Sequence, residues 1–314
     1  MDNSAGSRRP RLPGYNGGVG PATVRVLCAA VAVAAAFALA GSTPPSAYPG
    51  TAAPRSRAPG PSPRPVVPSA SASPAPARQP PPIARLGRRP GPVPRVSVMG
   101  DSIAWTLGRY WPYRPDLAVT NRGVPGCGIA RLPDIRYIGS PHTNYPGCTT
   151  WDQRWRAAVA ADDPDVAVIL LDRWELMDRR LGGRYQHVGE PEYDAYLAGE
   201  LALAITIAAG QGARVTLLTA PYTRREVRPD GGLFPEDTPE RVDAWNRLLT
   251  AVAAGHPAHP VVLDLRQVVC PQGRFTWNVG NVRVRSDGLH FTPQGVQQVI
   301  APWLAPHLLQ LATT

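Results

Sequence analysis

The stretch "RVSVMGDSIAWTLGRYW", residues 95–111, holds a short apolar run, the tripeptide Gly-Asp-Ser and a helix-like pattern. A Val-rich run of this length suits a strand buried on both faces, and the residues after it recur at helical spacing. Ser102 therefore stands where a strand turns into a helix. Two readings fit it: the hydroxyl caps the helix, or a tight turn holds it open as a nucleophile. Gly-Asp-Ser is too short a match to decide, so the rest of the chain must.

Four further runs rich in Val, Ile and Leu lie at 117–121, 165–171, 214–219 and 261–265. Helices are predicted over 102–111, 149–161, 192–210, 238–254 and 292–311. In the third the apolar residues recur at helical spacing up to Gly210; the fourth opens with Asp237 and Pro239 and closes on Gly255. Strand and helix alternate throughout. That order argues an α/β fold: a three-layer, doubly wound parallel sheet, flavodoxin-like, with right-handed crossovers and a ligand site at the carboxyl ends of the strands. Ser102 follows the first strand and lies on that edge.

The 314 residues contain 38 prolines, 17 of them within 42–94, where Ala, Ser and Arg fill most other positions. Such a segment has few large apolar side chains to offset its ordering entropy and reads as a disordered linker. The domain plan is thus a basic N-terminal segment with an export signal or anchor (1–41), the linker (42–94), and one folded domain (95–314). The net charge is +10, but residues 1–94 hold eleven arginines against one acid, while 95–314 hold 22 of each. The basic excess lies outside the folded part, so it argues against nucleic acid as partner and for a cell-wall or membrane-surface association of the N-terminal region. The chain has no lysine, which excludes Schiff-base and Ser-Lys chemistry.

Residues 26–40, "VLCAAVAVAAAFALA", form an uncharged run preceded by Arg8, Arg9, Arg11 and Arg25. This marks an export signal, either cleaved after Ala40 or retained as an anchor, and places the remainder outside the cytoplasm. An oxidising compartment permits disulfides. Cys127 and Cys148 fall in one loop region and form the expected pair, leaving Cys270 as a buried thiol.

Near the C-terminus, "RVRSDGLHFTPQGVQQV" (283–299) sets Asp287 and His290 three residues apart, ahead of a helix begun by Thr292 and Pro293. A serine nucleophile needs a base, and the base needs a partner that fixes its tautomer. One turn supplies both: Asp287 bonds one ring nitrogen of His290 and the other faces Ser102. Taken alone the motif also reads as a polar turn before a helix. Combined with Gly-Asp-Ser after the first strand, the triad is the stronger reading. Asp101 reads as a turn-shaping or capping residue. Trp105, Trp111, Trp151, Trp155 and Trp277 read as core aromatics before a sugar-stacking surface. No HExxH, paired CxxC, acidic cluster or glycine-rich phosphate loop appears, so no metal or cofactor is expected.

At these motifs the chain resembles the SGNH (GDSL-type) hydrolases, from residue 95 to about 311. "MGDSIAWTLG" is similar to that family's nucleophile block, "NRGVPGCGIA" to its glycine block and "SDGLHFTPQG" to its Asp-x-x-His block. The resemblance implies Ser102 as nucleophile, His290 as base, Asp287 as orienting partner, and the backbone N–H groups of Ser102 and Gly126 in an oxyanion hole. After "DVAVILL", typical members carry Gly-x-Asn-Asp, whose Asn is a third oxyanion donor. Here Asp172, Arg173, Trp174 and Glu175 stand, so the Arg173 guanidinium or the Trp174 indole takes that role, or both simply pack and pair with Glu175. The "RWE", "GCGIA" and "CTTWDQRW" stretches look most like the SGNH domains attached to acyltransferase-3 type membrane proteins. This implies an exported esterase acting on O-acyl esters of surface carbohydrate, or on small esters. Two alternatives stand beside it: an O-acyltransferase to a glycan hydroxyl, and a non-catalytic cell-wall glycan-binding module of the same fold.

Overall fold

The computed structural model describes residues 91–313. The apolar run at 26–40 and nearly all of the proline-rich segment lie outside the described residues. Among the described residues no helix is long and apolar enough to cross a membrane.

Five parallel strands form the central sheet: Arg95–Gly100 (β1), Ala118–Gly123 (β2), Val166–Leu170 (β5), Arg214–Leu218 (β8) and Val261–Leu263 (β9). Their order is β2-β1-β5-β8-β9. It is the flavodoxin-like order for five strands, with its reversal between β1 and β5. The interior strands β1, β5 and β8 are buried almost throughout, as continuous apolar runs require. Each strand coincides with one of the five runs read from the sequence, to within two residues at either end.

Helices Ser102–Arg109 (α1), Trp151–Asp162 (α2), Pro191–Ala208 (α4) and Pro239–Gly255 (α5) make the crossovers, and the one-turn helix Arg173–Leu176 (α3) follows β5. In α4, Tyr193, Leu197, Leu201, Ala204, Ile205 and Ala208 are buried, the i, i+4 spacing that packs one helix face on a sheet. Trp151 and Trp155 of α2 are core residues, edge to face at 5.1 Å. The C-terminal helical run passes through Pro293–Gly295, a π-helical turn at Val296–Ile300, and Ala301–Thr313, where Pro306 sits inside the helix.

A second, antiparallel sheet interrupts the alternation. Asp134–Tyr137 (β3), Ser140–Thr143 (β4), Asp178–Leu181 (β6) and Arg184–Gln186 (β7) are ordered β4-β3-β6-β7. Both hairpins close on two-residue turns with positive φ, Ile138-Gly139 and Gly182-Gly183, whose twist matches that of the strands. Short, largely polar strands escape a search for apolar runs; "LGGRY" carried the turn signal for one of them.

Gly100 closes β1. Its φ is +140°, and a Cβ there would collide with the Leu170 carbonyl and reach the Ala104 methyl at 2.9 Å. Only glycine lets β1 pack against β5 and turn directly into α1.

Cys127 and Cys148 form a disulfide, and Cys270 is free and buried. Closing a loop of this length is worth about 3 kcal/mol. Replacing both cysteines by serine is expected to lower the thermal midpoint by about 6–12 °C for a domain of this size. A change under 2 °C by scanning fluorimetry would show that the bridge constrains nothing.

Candidate active site

Asp101, not Ser102, caps α1. Its Oδ1 accepts the Ile103 N–H at 2.9 Å, and its Oδ2 accepts the Asp172 N–H at 3.3 Å, joining the ends of β1 and β5. The Ser102 hydroxyl is thereby left for other use and lies 2.8 Å from His290 Nε2. His290 Nδ1 lies 2.8 Å from Asp287 Oδ2. Asp287 Oδ1 accepts the N–H groups of Leu289 (3.1 Å) and His290 (2.9 Å), which fixes the carboxylate within its own turn. Burial pushes the Asp287 carboxyl up, but hydrogen bonds from the His290 ring and backbone outweigh it and hold the group well below the usual carboxylate range. An anionic Asp287 makes Nδ1 the donor, so Nε2 presents a lone pair to the Ser102 hydroxyl.

Three contacts that sequence reading did not single out hold this turn. Following β8, the Arg224 N–H donates to the Gly288 carbonyl at 2.9 Å, and the Arg225 guanidinium pairs with Asp287 Oδ2. From α1, Thr106 Oγ1 accepts the Phe291 N–H at 3.4 Å, tying the nucleophile's helix to the residue after the base. None carries a local sequence signal, because each partner is distant along the chain.

The glycine block forms a turn after β2, with the Val124 N–H on the Gly100 carbonyl at 2.9 Å and the Cys127 N–H on the Val124 carbonyl at 3.2 Å. Gly126 has φ +82°, and the disulfide ties the next residue to Cys148. The block is braced from below by Glu175, whose Oε1 accepts the Ile129 N–H at 2.7 Å and occupies the space a Gly128 side chain would need.

The remaining residues after β5 divide their roles. Arg173 is buried and donates to Asp237 (2.6 Å) and Glu236 (3.4 Å), with its guanidinium over the Tyr137 ring. These acids sit ahead of α5, so Asp237 is an ion-pair partner rather than the helix opener expected from the sequence. With both terminal nitrogens on carboxylates, Arg173 is a strut, and the expectation that its guanidinium supplies an oxyanion donor is corrected. Nor do Arg173 and Trp174 pair with Glu175, whose Oε1 bonds the glycine block instead. Trp174 stacks on Tyr137 (centroids 6.3 Å apart, planes within 9°) and tilts against Tyr145 at 5.7 Å. A Cβ on Gly126 would lie 3.8 Å from Trp174 Cζ2, on the edge of the indole that carries its N–H.

A cavity of about 360 Å³ opens beside the triad, lined by Ser102 and His290 and by Pro125 of the glycine block. Another, of about 310 Å³, lies at edge strand β9 and contains none of the three.

Residues 71–305 match the family described as the SGNH domain (fused to AT3 domains). The chain belongs to that family. The match begins inside the segment read as linker, ahead of the boundary expected at residue 95. Solved structures similar to this SGNH domain include an aryl esterase of M. smegmatis, at 16% identity over 70% of this chain and 100% of that one, TM-score 0.44. A GDSL-like lipase from Bacteroides thetaiotaomicron is 18% identical over 69% of this chain and 88% of that one, TM-score 0.42. No curated protein sequence matches the chain.

Beneath the nucleophile of this SGNH domain lie three buried carboxyls. Burial raises Asp101 to about 6, against bonds from the Ile103 and Asp172 N–H groups. Burial, then the neighbouring Asp101, raises Asp172 well above its ordinary value. The same two causes push Glu175 from 4.5 up to about 8, against the Ile129 N–H. An acid whose folded pKa is raised holds its proton more tightly when native. Its stabilisation is complete below the unfolded value and is lost as pH rises through the folded one. The thermal midpoint is therefore expected to fall between about pH 4 and pH 8 and to level off above, and Glu175→Gln, which keeps an acceptor for Ile129, is expected to flatten that fall. An unchanged slope in the variant would remove Glu175 as its source.

Proposed function

We propose that this SGNH domain is a serine esterase that cleaves O-acyl esters through an acyl-enzyme on Ser102. The observation that carries the reading is the continuous chain of hydrogen bonds from Asp287 through His290 to the Ser102 hydroxyl, each side-chain step 2.8 Å long. His290 Nε2 takes the hydroxyl proton as Ser102 Oγ attacks the ester carbonyl carbon. Asp287 holds the imidazolium that results. The carbonyl oxygen gains the negative charge, and the backbone N–H groups of Ser102 and Gly126 receive it. Nε2 then returns the proton to the departing alcohol. Water repeats the sequence on the acyl-enzyme, releasing the acid and restoring Ser102.

Trp174 supplies the third donor in this scheme. Its ring is clamped by Tyr137 and Tyr145, its Cζ2, one bond from the carbon that bears the N–H nitrogen, lies toward Gly126, and it stands where most members place asparagine. A clamped donor suits this task because it needs no reorientation as charge develops.

The natural substrate in this reading is an O-acylated carbohydrate outside the cytoplasm. Support comes from the arginine-flanked apolar run at 26–40 and from the disulfide, which persists in oxidising compartments. The basic N-terminal region then serves as a tether toward the wall or membrane surface.

Ser102→Ala is expected to reduce p-nitrophenyl acetate hydrolysis to the uncatalysed background. Trp174→Phe, which keeps the stacking and deletes the N–H, is expected to lower kcat on the order of a hundredfold, the cost of one oxyanion donor, with little change in KM. Full turnover in the first variant would remove the triad assignment. Full turnover in a folded second variant would remove only the indole.

A further inference from the structure

We infer that the cavity beside Ser102 is an acyl-chain pocket selecting chains well beyond acetyl, about four to eight carbons long. The inference rests on the esterase reading above and names the part of the substrate that the reading leaves open.

The pocket's size is the first argument. At about 360 Å³ it falls within the roughly 300–1,000 Å³ range of pockets for drug-sized ligands. An acetyl group has three heavy atoms and displaces about two or three waters, roughly 60–90 Å³ at about 30 Å³ each. Most of the cavity would stay unfilled by acetyl; on the same scale a hexanoyl group of seven heavy atoms takes roughly 140–210 Å³ and an octanoyl group of nine roughly 180–270 Å³, so either occupies far more of it.

Its chemistry is the second. Apart from Ser102 and His290 the wall is made chiefly by Trp105, Tyr110, Pro125, Phe291 and Pro293. Thr106 Oγ1 donates to the Ile103 carbonyl at 2.9 Å and Ser286 Oγ to the His290 carbonyl at 3.2 Å, and the other polar groups of the wall, the Tyr110 hydroxyl and the Trp105 indole N–H, sit on aromatic rings. No carboxylate or amide side chain lines it to receive sugar hydroxyls. A sugar in a polymer must also continue beyond the site in both directions, whereas an acyl chain ends. A small apolar recess therefore suits the acid side of the ester rather than the alcohol side.

Each methylene moved from water into such a pocket gains about fourfold in kcat/KM if fully buried. The test measures kcat/KM for p-nitrophenyl esters from acetate to dodecanoate, and separately for acetate esters whose alcohol grows from ethyl to hexyl. We expect a rise of at least about tenfold from acetate to hexanoate, a fall beyond octanoate, and a much flatter alcohol series. Trp105→Ala and Tyr110→Ala are expected to lower the hexanoate-to-acetate ratio at least about fivefold, a ratio read within each variant and so independent of how much protein is folded. An acyl series that is flat or peaks at acetate, or a gain that follows the alcohol, overturns the pocket assignment and leaves the esterase reading standing. Absence of turnover on every ester fails the esterase reading itself, and the pocket with it. If neither variant folds, the wild-type series alone decides.

Discussion

The 2.8 Å contact between the Ser102 hydroxyl and the His290 imidazole joins groups 188 residues apart, and the arrangement of the domain keeps it in register. One end is set by β1. Gly100 lets that strand run against β5 and bend sharply, and Asp101 caps the helix so that the serine need not. The other end is set by a turn that pins its own carboxylate, then is gripped by Arg224, Arg225 and Thr106 from two different elements. Rigid packing around a strand end is what allows a bond between distant residues to hold a near-attack geometry.

Charge burial is the counterpart of that rigidity. Asp101, Asp172 and Glu175 lie fully buried under the nucleophile, where water cannot solvate them and Asp101 raises the other two. Buried Arg285 partly offsets Asp172, and backbone N–H groups serve Asp101 and Glu175. Two of these acids work as braces, Asp101 across β1 and β5, Glu175 under the glycine block. Buried polar groups that satisfy backbone donors fix a unique conformation at a cost in stability, a cost that grows as pH rises and the protons leave.

Much of this was legible in the amino-acid sequence. The five sheet strands announce themselves because strands buried on both faces must be continuously apolar, and the Asp287–His290 spacing exposes a base with its partner. The antiparallel sheet was missed because β3, β4, β6 and β7 are short and mostly polar, leaving only glycine turns as a signal. Asp237 misled, since an acid before a proline at a helix start looks like a cap, whereas Arg173 claims it from the other side of the fold. Thr106, Arg225 and Glu175 were invisible as positioning residues for a shared reason: what each does is defined by a backbone or carboxylate group that only the folded chain brings near.

The central claim is that one hydroxyl, deprotonated across the fold, is the nucleophile. Its most direct test is intact-mass analysis after reaction with a fluorophosphonate, followed by peptide mapping. The account predicts a single adduct per chain, on Ser102, and none when His290 is replaced by alanine. An adduct on another residue, or none from a protein that still hydrolyses esters, would contradict it.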